Sequence, residues 1–275
     1  MIAHGEARAL NTPWRPRPLI LGSIALHALA LGALVLFPQV WPYPLGLVAA
    51  NHALLTAVTL FPNSQLLGRS LRRLPPGAAP GQVALTFDDG PDPDVTPRIL
   101  ALLERHGAQA TFFCIGEKAA RHPELVREIS ARGHAIGNHT MHHPGWFALH
   151  GTRGQRREWQ AAQTVLQALG PVSDLARTPL GLRNPLSDLV FHQLGLRHVG
   201  WSRRGVDTRC GDPDLVLARI TRSLGDGDII LLHDGNAARD TTGAAVSISV
   251  LEALLPILAS RGLSSIRLDD AAMPA

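Results

Sequence analysis

Two histidines, His139 and His143, are four residues apart and form the first feature of the sequence that could do chemistry. That spacing places two imidazoles on one face of a helical turn, where both can bind the same metal ion. A carboxylate such as Asp89 would complete a set of two histidines and one carboxylate, which leaves positions open for water and substrate. His142 points off that face and is interpreted as an outer or surface residue. The pattern therefore indicates a metal centre.

A pair of adjacent carboxylates, Asp88 and Asp89, could divide two further tasks. Successive side chains of an extended chain point in different directions, so one carboxylate can bind the metal while the other accepts a proton from the attacking water. The alternative is a pair of turn-forming aspartates before Gly90 and Pro91. His233 is a candidate general acid for the leaving group, because imidazole titrates near neutral pH.

Each polar cluster directly follows a short apolar run, so strands must position them. Asp88 and Asp89 follow VALTF, His139 follows AIGN, and His233 follows IILL. Between residues 83 and 268 such runs alternate with helical patterns, which predicts an α/β fold with a parallel sheet, open or closed into a barrel. In these folds chemistry gathers at the carboxyl ends of the strands. The three clusters are therefore expected to share one rim.

The first sixty residues predict a membrane attachment. The uncharged segments 19–37 and 45–61 approach the length needed to cross a hydrocarbon core of roughly 30 Å, and are interpreted as two transmembrane helices. Residues 1–18 precede them, and a linker at 62–81 follows. With 275 residues and 45% hydrophobic content, the chain can then form one sizeable globular domain, placed at 82–275.

Charge sets the predicted orientation of a multi-pass protein of the cell (inner) membrane. Arginines lie outside both spans and the turn between the spans is uncharged, so the positive-inside rule places the large domain in the cytoplasm. If the second segment instead lies in the interface, the domain is on the outer side. His27 and His52 are either functional groups or two neutral histidines that meet inside the hairpin. The flanking arginines are Arg8, Arg15, Arg17, Arg69, Arg72 and Arg73.

Composition excludes two other classes of protein. Lys and Arg number 26 against 22 Asp and Glu, but the cationic residues are scattered and aromatic residues are only 5%, so no nucleic-acid partner is expected. Cys114 and Cys210 have no nearby cysteine partner in the sequence. The chain therefore has neither a disulfide framework nor a cysteine-based zinc site.

Four motifs together give the sequence a recognisable pattern. They are TFDDGP at 86–91, HTMHH at 139–143, RTPLG at 177–181 and LLH at 231–233. Over roughly residues 82–268 the chain resembles the polysaccharide deacetylases, the carbohydrate esterase 4-like family that shares the NodB homology domain. The resemblance implies a distorted (β/α) barrel of the NodB type, here preceded by the transmembrane helical hairpin, and a divalent metal ion, most often zinc.

The resemblance also implies a role for each matching residue. Arg177 matches the arginine that orients the base aspartate, and a bidentate guanidinium would suit that task. The backbone N–H of Leu180 matches the donor to the oxyanion. Asp207 matches an aspartate that supports the catalytic side chains. The implied metal ligands are Asp89, His139 and His143, the general base is Asp88 and the general acid is His233.

Two positions depart from the family pattern and bear on the substrate. Leu180 replaces an aromatic residue, and Arg204 stands where the family often has a carboxylate. Arg183 is an additional arginine just after the RTPLG motif. The two arginines could contact a phosphate of the substrate, or they could simply be surface arginines.

Three functions are therefore compared. The first is metal-dependent hydrolysis of the N-acyl, most often N-acetyl, group of an amino sugar in a polysaccharide or glycoconjugate. The second is deacylation or deformylation of a sugar linked to a lipid carrier. The third is a catalytically silent membrane protein that binds glycan, which would have lost the base, the acid or a metal ligand. Because all of those residues are present, the sequence favours an enzyme.

Overall fold

The computed structural model of the protein describes residues 13–75 and 80–271. Two helices come first, α1 (Pro18–Leu36) and α2 (Pro42–Thr59), and strands then alternate with helices. The strands are β1 (Gln82–Asp88), β2 (Ala110–Cys114), β3 (Ala135–Asn138), β4 (Leu175–Ala176), β5 (Arg197–His198), β6 (Arg203–Arg204), β7 (Ile229–His233) and β8 (Ser264–Ser265). The later helices are α3 (Thr96–Arg105), α4 (Gly116–Arg121), α5 (Pro123–Ala131), α6 (Thr152–Leu169), α7 (Ser187–Leu194), α8 (Pro213–Thr221) and α9 (Val246–Ser260). Single 3-10 turns lie at Pro38–Val40, Phe147–Leu149 and Pro179–Gly181.

The strands of the described chain form one curled sheet. Their order is β5-β4-β3-β2-β1-β7-β6, with β8 paired to β1, and all pairs are parallel. The predicted parallel α/β fold is therefore confirmed, in the form of a half-barrel. The register aligns Asp88 at the end of β1 with Phe113 of β2 and His233 of β7. The carboxyl ends of the central strands consequently meet at one rim, as expected.

Two apolar layers hold the sheet, because successive side chains of a strand point to opposite faces. On β1, Leu85 and Phe87 are fully buried in the layer that packs against the helices. Ala84 on the same strand belongs to the inner layer, together with Phe113 and Trp201. The inner layer supports the rim from inside the half-barrel.

The segment that follows α2 is part of the domain rather than a free linker. The N–H of Leu71 donates to the carbonyl of His198 (2.9 Å), and its own carbonyl accepts from the N–H of Gly200 (2.7 Å). Leu74 is buried in the inner apolar layer. Within the predicted linker 62–81, Leu71 thus pairs in parallel with Val199 beyond β5, and Arg73 forms an antiparallel bridge with Asp228.

The helix α1 agrees with the first predicted span, whereas α2 agrees with the second only in position. Among the helices of the described chain, α1 is the one that is long and apolar enough to cross a membrane, and a signal sequence near the N-terminus would have the same properties. Support for the predicted hairpin of two spans is therefore limited to its first helix. Arg8 and most of the predicted segment 1–18 lie outside the described residues.

Polar side chains nevertheless join α1 to α2. Asn51 donates to the hydroxyl of Ser23 at 2.9 Å, and the Nε2 atoms of His27 and His52 are 3.2 Å apart. The Nδ1 atom of His27 lies 2.7 Å from the carbonyl of Ser23, so this nitrogen carries a proton. The two histidines therefore meet between the helices.

Candidate active site

Three of the predicted residues converge on one point at the rim. Oδ1 of Asp89 lies 3.2 Å from Nε2 of His139 and 3.2 Å from Nε2 of His143, and one ligand atom from each residue lies within 4.8 Å of the others. Oδ1 of Asp89 is buried and has no hydrogen-bond partner in the described chain, while the other oxygen accepts from Asn236 at 3.2 Å. An unpartnered buried carboxylate oxygen facing two imidazoles is a donor set that fits a divalent cation such as zinc.

The two histidines converge through a tight turn instead of the predicted helical turn. His139 directly follows β3, and the backbone at Thr140 (φ 67°) and His143 (φ 50°) is left-handed. The side chain of Asn138 accepts from the N–H of Thr140 (2.9 Å), and the hydroxyl of Thr140 accepts from the N–H of His143 (3.1 Å). These local hydrogen bonds satisfy the backbone in place of a helix. The helical interpretation of this segment was therefore wrong, although both imidazoles reach the site.

The two aspartates face the same site, whereas alternation along an extended chain predicted different directions. Asp88 ends β1, but the backbone of Asp89 is left-handed, with φ of 70°. Oδ2 of Asp88 consequently lies 3.8 Å from Nε2 of His139. A Cβ atom at Gly235 would lie 2.1 Å from the carbonyl oxygen of Asp89, so this close approach requires glycine.

The charges of the cluster reinforce one another. Burial would raise the pKa of Asp89, but the neighbouring imidazoles of His139, His143 and His233 hold it well below its ordinary value. Burial would lower the pKa of His139, but Asp88 and Asp89 raise it. Burial and the charge of His139 lower the pKa of His143 to about 4, so His143 is neutral at physiological pH. The cluster therefore favours one positive charge beside the carboxylates.

A hydrogen bond from the ring nitrogen that faces away from Asp89 fixes the orientation of His139. Its Nδ1 lies 2.7 Å from the carbonyl oxygen of Arg177, and a carbonyl can only accept, so Nδ1 carries the proton. Nε2 therefore faces Asp89, and it carries a lone pair when the imidazole is neutral. A second hydrogen bond of this kind is the usual device that orients a histidine ligand.

The guanidinium of Arg177 is fully buried and holds Asp88, although not in the predicted bidentate geometry. Nη1 donates to Oδ1 of Asp88 at 2.6 Å and to the hydroxyl of Thr86 at 2.9 Å. Its remaining donors are directed to two backbone carbonyls that follow β5, and the group lies 4.2 Å from the centre of the Phe113 ring. One carboxylate oxygen is therefore tied down, and Oδ2 of Asp88 remains directed toward the cluster.

His233 is paired with Asp207 as the resemblance implied. One oxygen of Asp207 lies 2.8 Å from Nδ1 of His233 and the other accepts from its backbone N–H at 2.8 Å. Burial would lower the pKa of His233, but the carboxylates of Asp207, Asp88 and Asp89 raise it to about 9. The imidazole is therefore protonated at neutral pH, the state that a general acid requires.

Leu180 lies on the 3-10 turn Pro179–Gly181 with a left-handed backbone, φ 57°. Its backbone N–H makes no hydrogen bond within the described chain, and its side chain is half exposed. Donation from the backbone N–H of Leu180 to an oxyanion, which the resemblance implied, stays a prediction.

The two candidate phosphate contacts have different surroundings. The side chain of Arg183 is buried and donates to the carbonyl oxygens of Arg69 (2.8 Å) and Ser64. Burial lowers its pKa to about 10. These contacts indicate that Arg183 holds the segment after α2 against the domain. Arg204 instead lies 5.3 Å from the ring of Trp201, and its Nε is buried without a partner in the described chain.

The structure adds one acidic residue that the sequence analysis did not single out. Asp234 is buried and accepts a hydrogen bond from Thr96 at 2.7 Å, and burial raises its pKa to about 7. A Cβ atom at Gly90 would lie 2.0 Å from its carboxylate, so Asp234 packs beneath the TFDDGP turn. Its position directly after His233 in the sequence was the signal that could have identified it.

His142 is exposed and contacts Glu158 at 3.0 Å, as predicted for an outer residue.

A buried base candidate, a protonated acid candidate and a metal-type cluster on a parallel half-barrel define a hydrolase site. Comparison with known proteins agrees. The profile of the family described as polysaccharide deacetylase matches residues 77–199. The chitooligosaccharide deacetylase of Sinorhizobium fredii is 35% identical over 200 residues, which cover 70% of this chain and 93% of that protein. The peptidoglycan-N-acetylglucosamine deacetylase of Bacillus cereus is 31% identical over 183 residues, covering 66% of this chain and 64% of that one.

A solved structure gives the same result. The family 4 carbohydrate esterase from Streptomyces lividans in complex with acetate superposes with a TM-score of 0.62 at 30% identity, covering 72% of this chain and 99% of that one. The chain belongs to the polysaccharide deacetylase family. It is a hydrolase that acts on carbon–nitrogen bonds other than peptide bonds.

Proposed function

We propose that the protein removes the N-acetyl group from an amino sugar of a polysaccharide or glycoconjugate. One observation carries this proposal: the Asp89, His139 and His143 ligand atoms meet beside the unligated Oδ2 of Asp88. A cation site next to a free carboxylate supplies the two functions that hydrolysis of an unactivated amide needs, activation of water and stabilisation of negative charge.

Asp89, His139 and His143 would hold the divalent ion, with zinc as the expected metal. A bound ion supplies Lewis acidity, which lowers the pKa of water and polarises the acyl carbonyl. The low pKa of Asp89 keeps this carboxylate ionised, and the Nδ1 proton of His139 directs its other nitrogen to the site. Side chains that are already ionised and oriented in this way need little reorganisation when the metal ion binds.

The remaining residues move protons and hold charge. Asp88, oriented by Arg177, accepts a proton from the attacking water. The N–H of Leu180 donates to the oxyanion that develops on the acyl oxygen. His233, kept protonated by Asp207, donates a proton to the nitrogen as the carbon–nitrogen bond breaks. Acetate and the free amine of the sugar are the products.

The direct test measures acetate release from a chitooligosaccharide together with the metal content of the purified protein. His139→Ala is expected to lose the metal and the acetate release together, because two ligands hold a divalent ion poorly. His142→Ala is the matched control, since this exposed histidine lies in the same turn and is directed to Glu158. If metal-depleted His139→Ala released acetate at the rate of the unmodified protein, the proposed metal site would be wrong. A silent glycan-binding protein would release no acetate at all.

We also propose that α1 attaches the domain at 82–275 to the cell membrane. If α1 alone crosses the bilayer, the two ends of the chain lie on opposite sides, whereas a hairpin of α1 and α2 keeps both on one side. A reporter fused after Ala275 separates these arrangements: a fluorescent protein that folds in the cytoplasm reports the hairpin, and active alkaline phosphatase reports the single crossing. The second outcome would overturn the cytoplasmic location that the arginine distribution predicts.

A further inference from the structure

A cavity of about 460 Å³ lies between the two N-terminal helices and the catalytic domain. This volume falls within the range of roughly 300–1,000 Å³ that ligand pockets occupy. Its walls are mainly apolar and come from both sides of the junction. Ile20 and Ile24 of α1 and Leu55 of α2 face Pro185, Leu186 and Leu189 of the domain.

The cavity lies close to the catalytic centre along the chain. Pro185 is five residues after Leu180, so the two lie at most ~18 Å apart even for a fully extended chain. Pro62, just after α2, approaches the same turn, because a Cβ atom at Gly181 would lie 3.2 Å from its Cβ. The junction and the oxyanion turn are therefore neighbours.

Exposed apolar side chains lie in a loop that is joined to the cavity-lining segment. Asn184 donates to the carbonyls of Ala148 and His150, both at 2.9 Å, and so ties the segment that lines the cavity to the loop that follows His143. That loop exposes Trp146 (66%) and Leu149 (84%). An exposed tryptophan is typical of the membrane interface.

Basic residues border the same junction. Asp188 at the start of α7 accepts from the indole N–H of Trp14 (3.0 Å) and from the backbone N–H of Arg69 (3.2 Å), so both segments that flank the helices are attached here. The side chains of Arg15, Arg69 and Arg72 are exposed at this end of the helices. Such arginines attract anionic lipid head groups.

We propose that the substrate is an amphiphile, an N-acyl amino sugar joined to a hydrocarbon chain that occupies this cavity while the sugar reaches the Asp89 cluster. The proposal rests on the deacetylase function and narrows its substrate class. The occupant follows from continuity: the cavity shares a wall with α1, the helix that is apolar enough to cross a membrane. A hydrocarbon chain fits these mainly apolar walls, whereas the hydroxyl groups of a polysaccharide would lose water there without hydrogen bonds in return.

The test compares N-acetylglucosamine glycosides that carry methyl, butyl, octyl or dodecyl groups, each below its micelle concentration, with the full chain in lipid nanodiscs. Each buried methylene is worth about a fourfold gain in affinity. We expect kcat/KM for acetate release to rise with chain length, by at least about 100-fold from methyl to dodecyl, mainly through KM. Because this series uses the unmodified protein, it does not depend on the folding of a variant.

Two substitutions locate the effect. Leu186→Glu, which places a charge in the cavity wall, is expected to reduce the dodecyl-to-methyl ratio of kcat/KM at least about tenfold. Leu215→Glu, an exposed leucine of α8 away from the cavity lining, should leave the ratio unchanged. Equal kcat/KM for methyl and dodecyl glycosides would overturn the amphiphile while leaving the deacetylase intact. Absence of acetate from every glycoside and from chitooligosaccharides would instead overturn the proposed function.

Discussion

Two regions of the molecule meet at the Pro179–Gly181 turn and differ in what holds them. At the catalytic centre, buried charged groups are matched by opposite charges or carbonyls: Arg177 holds Asp88, and Asp207 holds His233. At the junction with the helices, the cavity walls are mainly apolar, and polar contacts such as those of Asp188 and Arg183 lie around them. Buried polar networks fix geometry because each missing partner is costly. The centre is therefore suited to one reaction, and the junction is suited to choosing a substrate.

The largest effect is expected inside the centre, from Asp88→Asn. An amide accepts no proton from water, so kcat should fall about 10²–10⁴-fold while the metal content is unchanged. Kinetics with metal analysis measure both quantities. Asp94→Asn, an exposed carboxylate a few residues after the TFDDGP motif, serves as the control. Near-normal turnover of Asp88→Asn would show that another group is the base.

Asp207→Asn should change the pH dependence rather than remove activity outright. The carboxylate of Asp207 is the main contributor that raises the pKa of His233 to about 9, and burial opposes it. Without that charge His233 loses its proton at lower pH, so the alkaline limb of kcat/KM should move down by about one unit or more. Asp214→Asn, which is exposed, should not move it. A uniform loss with an unmoved limb would assign Asp207 a structural role only.

Arg183→Met tests the boundary between the two regions. The substitution leaves the carbonyls of Ser64 and Arg69 without their donor, so the free energy of unfolding should fall by about 1–3 kcal/mol. Turnover of a soluble chitooligosaccharide should stay within about twofold, because the guanidinium is directed to the backbone. Urea titration measures the free energy of unfolding and acetate assays measure turnover, with the exposed Arg153→Met as the control. A rise in KM without a loss of stability would indicate that Arg183 contacts the substrate.

Leu180→Gly should have the smallest effect. Glycine removes a left-handed strain of about 1–2 kcal/mol and adds chain entropy to the unfolded state of roughly 0.5–1 kcal/mol, so the net stabilisation is at most about 1.5 kcal/mol. Its backbone N–H is retained, so acetate release from a soluble substrate should change less than about threefold. Leu180→Ala keeps the strain and is the comparison for stability. A large loss in both variants would indicate that the leucine side chain itself binds substrate.

The sequence predicted which residues lie together at the rim better than it predicted how they converge. Apolar runs that end in Asp88, His139 and His233 identify strand ends, and a parallel sheet brings strand ends together. The left-handed backbone at Asp89 and His143 was not predictable from the motif, because side chains rarely adopt it without tertiary support. Periodicity alone therefore suggested a helical turn that the structure does not contain.

The junction was harder to predict for a different reason. The stretch LPPGAAPG reads as a linker by composition, and composition carries no information on what the preceding residues contact. Asn63, for example, exchanges hydrogen bonds with the backbone of Trp201 (3.0 and 3.2 Å), 138 residues away. Long-range contacts of this kind depend on the folded domain. The two-residue strand β6 is likewise too short to give a periodic signal.

The exchange between Asn63 and Trp201 also bears on how this enzyme could be made water-soluble. A shortened chain that began at Gln82, the start of β1, would lose Leu71 from the sheet edge and Leu74 from the inner layer. The exposed backbone and apolar surface would then favour aggregation. Truncation after α2, with residues from Phe61 onward retained, removes the apolar helices and preserves these contacts.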